Sequence, residues 1–217
     1  MAKKHKKRIR LSPELRKSMI LDHAAEVIAE EGVSALSIKR LGDEAGISKS
    51  LVYAYFPSMK DVLQTLLRRE HKHLRAKQAE AADSAETFEQ LVRRVTRVYL
   101  IYIEERGLIL DRLAAEPSVA DHGDPTEFSR EAAVRYVAQI LSDNFDIDMD
   151  VAIPAIDISF GLPAAAGHYL TRNDVNRQTI EDITVAMILG SVEAIRQKYN
   201  TSLRALIRPK RSKSSET

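Results

Sequence analysis

The sequence predicts an all-α fold of about nine helices, and three observations carry that prediction. Apolar residues recur at helical spacing in almost every segment of the 217-residue chain, and no run alternates in the manner of a strand. Glycine, proline and small oxygen-bearing residues gather between those segments, where they start and stop helices. A hydrophobic share of 44% is ample for a packed core.

The first helix is read from the apolar stripe Leu15, Met19, Ile20, Ala24, Val27 and Ile28, and Gly32 with Val33 ends it as a C-cap. Residues 37–58, SIKRLGDEAGISKSLVYAYFPS, then read as two short helices set across a tight glycine turn. Ser37 suits an N-cap, and Ile38, Leu41 and Ala45 form one apolar face. Gly46 is the natural C-cap: without a Cβ it takes a left-handed backbone and turns the chain, so that Ile47 folds back over the apolar face. The methyl-sized Ala45 lets the helices cross closely. Ser48 is a second N-cap, opening a helix that buries Val52 and Phe56. That helix turns Lys49, Ser50 and Tyr53 outward, donors of the kind that contact phosphates and base edges. Pro57 ends it and Ser58 caps the next. With the first helix as a roof, residues 11–57 are expected to form a three-helix DNA-reading domain of the helix-turn-helix type.

This segment resembles the DNA-binding signature of the TetR family of bacterial transcriptional repressors, from about Leu15 to Leu66 and above all in AGIS (Ala45–Ser48) and LVYAYFPS (Leu51–Ser58). The resemblance implies that Tyr53 and Tyr55 hold DNA phosphates and that Lys39, Lys49, Ser50 and Leu51 lie nearest the bases, with Ser37 and Ser48 at the helix starts beside them. Two positions depart from the family pattern. Met59 stands where many members have a phosphate-binding lysine, so either Lys60 serves instead or the contact is absent. Leu51 replaces a frequent threonine and exchanges a hydrogen bond for an apolar contact, for example to a thymine methyl. The resemblance further implies a body that binds a small molecule and releases DNA when occupied, and a dimer formed by the last two long helices.

Residues 58–203 are expected to form that helical effector-binding and dimerisation domain. A long helix runs from Ser58 to about Ala82 without glycine or proline, roughly 36 Å at the standard rise, and can act as a lever between head and body. Further helices are read at Thr87–Arg106, Leu108–Glu116, Pro125–Phe145, Asp150–Thr171 and Val175–Tyr199. Gly107, the EPSVADHGDP stretch, the acidic DIDMD and TRND mark the breaks.

Charge is unevenly placed. The first ten residues carry six Lys/Arg and residues 204–217 carry five, which leaves 22 basic and 30 acidic residues between them. Because an acidic body repels DNA at long range, a DNA-binding chain must concentrate its positive charge on the binding side, and residues 1–60 do so with twelve Lys/Arg against seven Asp/Glu. Arg8 and Arg10 in the basic arm (1–10) are candidates for phosphate or minor-groove contacts, the alternative being a solvated tail; the tail at 204–217 is read as solvated. The absence of cysteine excludes disulfides and thiolate zinc sites and fits a cytoplasmic protein. No stretch reaches the roughly 18 apolar residues of a membrane span, and no membrane partner is expected. Phosphate-cradling glycine loops, GxSxG and HExxH are missing. Glu70, His71 and His73 are read as solvated lever residues rather than metal ligands, since residues two apart on a helix point apart. Neither an enzyme nor a cofactor is expected.

Small residues mark a candidate dimer surface: Ala186, Gly190 and Ala194 lie four apart, and Gly161, Ala164 and Ala165 begin a second cluster. Polar and aromatic residues within apolar runs mark a candidate effector site: Tyr99, Tyr102, Arg112, Phe128, Tyr136, Asp157, Phe160 and His168, with Pro163 kinking the helix to open space. The chain is therefore expected to be a dimeric repressor of a palindromic double-stranded DNA operator, released by a small hydrophobic or aromatic effector. The alternative is an all-α small-molecule binding or adaptor module that does not read DNA.

Overall fold

The structure, a computed structural model, describes residues 12–120 and 127–199, and every regular element among them is helical. In chain order these are α1 (Pro13–Glu31), a 3-10 turn (Val33–Ala35), α2 (Ile38–Glu44), α3 (Lys49–Tyr55), α4 (Met59–Asp83), α5 (Phe88–Ala114), the four-residue α6 (Pro117–Ala120), α7 (Glu127–Phe145), α8 (Met149–Ser159), α9 (Gly161–Arg172) and α10 (Arg177–Tyr199). They gather into two compact units: residues 12–71 with 108–120, and residues 72–107 with 127–199.

The first unit is built by its caps. Ser12 accepts from the Leu15 N–H at 3.2 Å with Pro13 at the first helical position, and Gly32 ends α1 with its N–H on the Ile28 carbonyl. Ser37, Ser48 and Ser58 cap α2, α3 and α4 in the same way, accepting from the Arg40, Leu51 and Asp61 N–H groups at 3.1–3.2 Å. Gly46 sits at φ +61°, the left-handed turn that the sequence requires, and the Ile47 N–H returns to the Gly42 carbonyl at 2.8 Å. Ile20, Ala24, Leu41, Val52, Phe56, Val62 and Leu66 make one core, completed by Ile109, Leu113 and Val119. Leu15, placed on the apolar stripe by sequence, is instead exposed on the first turn of α1.

In the second unit, Val134, Ala138 and Leu141 of α7 pack with Ala152 and Ile156 of α8 and Val192 of α10, and Asp146 at φ +54° makes the tight turn after α7. Glu181 of α10 is fully buried, and its two carboxylate oxygens each accept from Arg97 Nε at 3.1 Å, with Arg177 at 3.7 Å and Arg93 at 4.0 Å. A buried carboxylate needs such partners, and here they tie α5 to α10.

Two expected helix boundaries are corrected. Gly107 does not break the chain: α5 runs through it, and a Cβ there would stand 3.1 Å from the Ile103 Cγ2, with the Thr171 Cγ2 of α9 at an ordinary contact distance of 3.6 Å. The expected helix 150–171 is two helices parted at Phe160. Pro163 cannot donate to the Ser159 carbonyl and its ring would clash there, so α8 stops at Ser159 and Pro163 falls in the first turn of α9, where its missing N–H is harmless. Across Met149–Arg172 an 18-residue window reaches a mean hydropathy of 1.3 with 11% of it buried, contrary to the expectation that no stretch is long and apolar enough for a span. The break leaves helices of 11 and 12 residues, each too short to cross a bilayer alone.

Candidate functional site

On the outward side of the helix-turn-helix, geometry follows from burial. Val52 and Phe56 are fixed in the core, so Lys49, Ser50 and Tyr53 of α3 turn to solvent; Tyr53 is 45% exposed and Lys49 Nζ lies 5.7 Å from its ring centroid. Lys39 of α2 is also exposed, whereas Leu51, Tyr55 and Lys60 are half-buried, with Tyr55 packed on the core. Ser37 and Ser48 use their oxygens as cap acceptors and keep the hydroxyl proton for an outside acceptor. Arg40 is not a free cation: its guanidinium bonds Glu31 at 2.5 Å and lies 3.7 Å from Glu44. That hydrogen bond holds the exposed Glu31 carboxyl below its ordinary value. Arg8 and Arg10 lie outside the described residues.

Gly42 is the residue of this motif that sequence reading missed. A Cβ there would stand 2.9 Å from the Ile47 carbonyl oxygen and 3.4 Å from the Lys49 nitrogen, so its hydrogen atom, more than the methyl of Ala45, lets α2 meet the start of α3. Its signal was a glycine inside a helical apolar pattern.

The second unit holds a cavity of ≈ 250 Å³. Its wall comes from α4 (Leu74, Gln78), α5 (Val92, Val95, Thr96, Tyr99), α8 (Ile156, Ser159), α9 (Pro163, Ala164) and Ile188, with Phe88, Leu91, Val137 and Phe160. Of the eight sequence candidates, Tyr99 and Phe160 line it. Tyr102 is buried elsewhere, its ring 6.1 Å from that of His73. Arg112 belongs to the first unit, where Nη1 donates to the carbonyls of Ile28 and Ala29. Asp157 is exposed and pairs with Arg130 at 2.9 Å, and Tyr136 and His168 are exposed. The Phe128 side chain lies outside the described residues. Glu70, read as solvated, is buried beside Arg69 at 3.3 Å.

Of the small-residue positions, Gly161, Ala165, Ala186, Gly190 and Ala194 are exposed, while Ala164 faces the cavity. The exposed ones adjoin large apolar side chains that are also bare: Ile158 at 77%, Ile183 at 51% and Met187 at 53%.

Residues 20–66 match the model of the bacterial regulatory proteins, tetR family. No curated protein matches the chain by sequence. Among solved structures, the chain is similar to a protein of Pseudomonas aeruginosa PAO1 described as a transcriptional regulator (TM-score 0.72, 15% identity, 88% of this chain and 96% of that one). It is also similar to a tetR-family transcriptional regulator from Streptomyces coelicolor (0.68, 20%, 90% and 88%) and to a TetR-like transcriptional regulator from Rhodococcus sp. RHA1 (0.63, 20%, 85% and 99%). At these identities the likeness is one of fold.

Proposed function

We propose that the chain, whose residues 20–66 match the model of the tetR family of bacterial regulatory proteins, is a DNA-binding transcriptional regulator of that kind and acts as a cytoplasmic repressor: a homodimer that binds a palindromic operator and lets go when a small, mainly hydrophobic effector fills the body. The observation that carries this reading is the solvent face of α3, where Lys49, Ser50 and Tyr53 are aimed outward by the burial of Val52 and Phe56. A seven-residue helix so fixed presents donors to the major groove, and Lys39, Leu51, Tyr55 and Lys60 supply flanking contacts.

The bare stripe on α10 and the sparsely buried α8–α9 run support dimerisation, since contiguous exposed apolar surface of this kind marks a partner face. Two heads then read half-sites about one helical turn, or a multiple, apart. The lever helix α4 carries head-core residues Val62 and Leu66 in its first half and cavity residues Leu74 and Gln78 in its second. An effector that favours one placement of α4 and an operator that favours another are reciprocally coupled, by about 1–3 kcal/mol in ordinary cases.

Selection from a random double-stranded DNA library tests the reading, with Tyr53→Ala and Lys49→Ala proteins alongside. The parent is expected to enrich a palindrome and both variants to lose it; a parent that enriches none at moderate salt sinks the repressor reading in favour of a non-DNA-binding module.

A further inference from the structure

We infer that the cavity of the second unit takes an uncharged, compact apolar ligand carrying one carbonyl or hydroxyl group, and that Gln78 is the residue that anchors this group. The inference rests on the reading of that unit as the effector-binding part and narrows the effector to a chemical class.

The wall decides the charge. No Asp, Glu, Lys, Arg or His side chain lines the cavity, so an ionised ligand would leave its hydration shell without a counter-charge to meet it. The volume decides the size: ≈ 250 Å³ falls below the ~300–1,000 Å³ typical of pockets for drug-sized ligands. Four polar side chains lie on the wall, and of these Thr96, buried on α5, and Tyr99 each offer a single hydroxyl, which leaves Gln78 as the one carboxamide among the lining residues. The Ser159 hydroxyl already donates to the Ala155 carbonyl at 2.7 Å. Gln78, half-buried on α4, lines the cavity with a carboxamide that makes no hydrogen bond to the described residues, and it offers both a donor and an acceptor. A neutral group reaching Gln78 satisfies it, and a pure hydrocarbon does not. Because the anchor lies on the lever helix, specificity and signalling share one residue.

Calorimetric titration of the full chain with three near-isosteric probes, 2-acetylnaphthalene, 2-ethylnaphthalene and 2-naphthoate, tests this. The acetyl compound is expected to bind about threefold to tenfold tighter than the ethyl compound, one hydrogen bond's worth. The carboxylate should bind at least about tenfold more weakly than the acetyl compound. In Gln78→Leu the acetyl preference should vanish while ethyl binding persists, and Val95→Trp, or Val92→Phe should the first fail to fold, should remove all binding. Naphthoate binding as tight as acetyl, an acetyl preference surviving in Gln78→Leu, or no binding of any probe overturns the inference. Operator affinity is followed in parallel. Probes that bind with the expected preferences yet never release a bound operator leave the ligand class standing and sink the effector-released repressor; operator binding without probe binding sinks the ligand class alone.

Discussion

Arg112, in the last turn of α5, donates through Nη1 to the backbone carbonyls of Ile28 and Ala29, the latter at 3.0 Å, at the C-terminal end of α1. The final carbonyls of a helix carry partial negative charge, so a half-buried guanidinium there adds a charge-assisted bond to the Ile28 carbonyl, which already accepts from the Gly32 N–H, and another to the carbonyl of Ala29. The residue that sequence reading assigned to the effector thus fastens the DNA-binding head. Arg112→Met should therefore lower stability by about 1–3 kcal/mol, the range for a charge-assisted hydrogen bond whose acceptors stay behind. Urea unfolding followed by circular dichroism measures it. Probe binding in the second unit should be unchanged, and a selective loss of it would return Arg112 to the effector site.

Gly42→Ala should damage the head more than its size suggests. The added Cβ would stand 2.9 Å from a backbone oxygen that cannot swing aside, so α2 and α3 must part. Overpacking of this kind costs about 1–3 kcal/mol, which outweighs the ~1 kcal/mol gained by replacing a helical glycine with alanine. A lower melting temperature together with weaker operator binding is expected; a more stable protein would show that the helices have room.

These two residues mark what was legible in the sequence. The serine caps at 37, 48 and 58 and the turn at Gly46 are local signals, complete within four or five residues, and they appear as read. Arg112 and Ile28 are 84 positions apart, and nothing near either announces the other. The effector site was sought among aromatics and polar residues inside apolar runs, on the premise that such runs are interior. Much of α8 and α9 is apolar and exposed, so that premise put Asp157 inside when it is on the surface, paired with Arg130. The cavity of the second unit takes nearly half of its wall from Leu, Val and Ile, side chains indistinguishable in sequence from those of a filled core.

Glu193 provides a test by pH. Hydrogen bonds from Arg196 at 2.8 Å, and secondarily from Gln197, hold its carboxyl down from 4.5 to about 2. A folded-state value below the unfolded one stabilises the fold above the ordinary carboxylate range, and that contribution fades as pH falls from 4.5 through about 2. Carbon-13 titration of the Glu193 carboxyl should show its midpoint near 2, and Arg196→Gln should move it back toward 4.5. A parent midpoint already at 4.5 would mean that the pair does not hold in solution. Because the group is fully solvent-exposed, the effect should be clear in the titration and slight in global stability.

The exposed stripe on α10, proposed above as the dimer face, makes the last prediction. Ile183, Met187, Gly190 and Ala194 follow one another at four-, three- and four-residue steps along α10, with Ala186 three residues from Ile183 and four from Gly190, so they form one stripe, and all are exposed while Val185, Ile188 and Val192 hold the opposite side of the helix in the interior. A charge placed in the middle of that stripe must be buried in any complex that uses it, yet costs the single chain almost nothing, within about 0.5 kcal/mol for a surface position. Met187→Arg should then weaken self-association by at least about tenfold, as burying an unpaired charge demands, with the helical spectrum preserved. Sedimentation equilibrium gives the association constant. The same protein should retain weak binding to a single half-site and lose the tight binding to the full palindrome, because each head is intact and only their linkage is gone. Undiminished association would exclude this face from the dimer and direct the search to the exposed Ile158 and Tyr169 on α8 and α9.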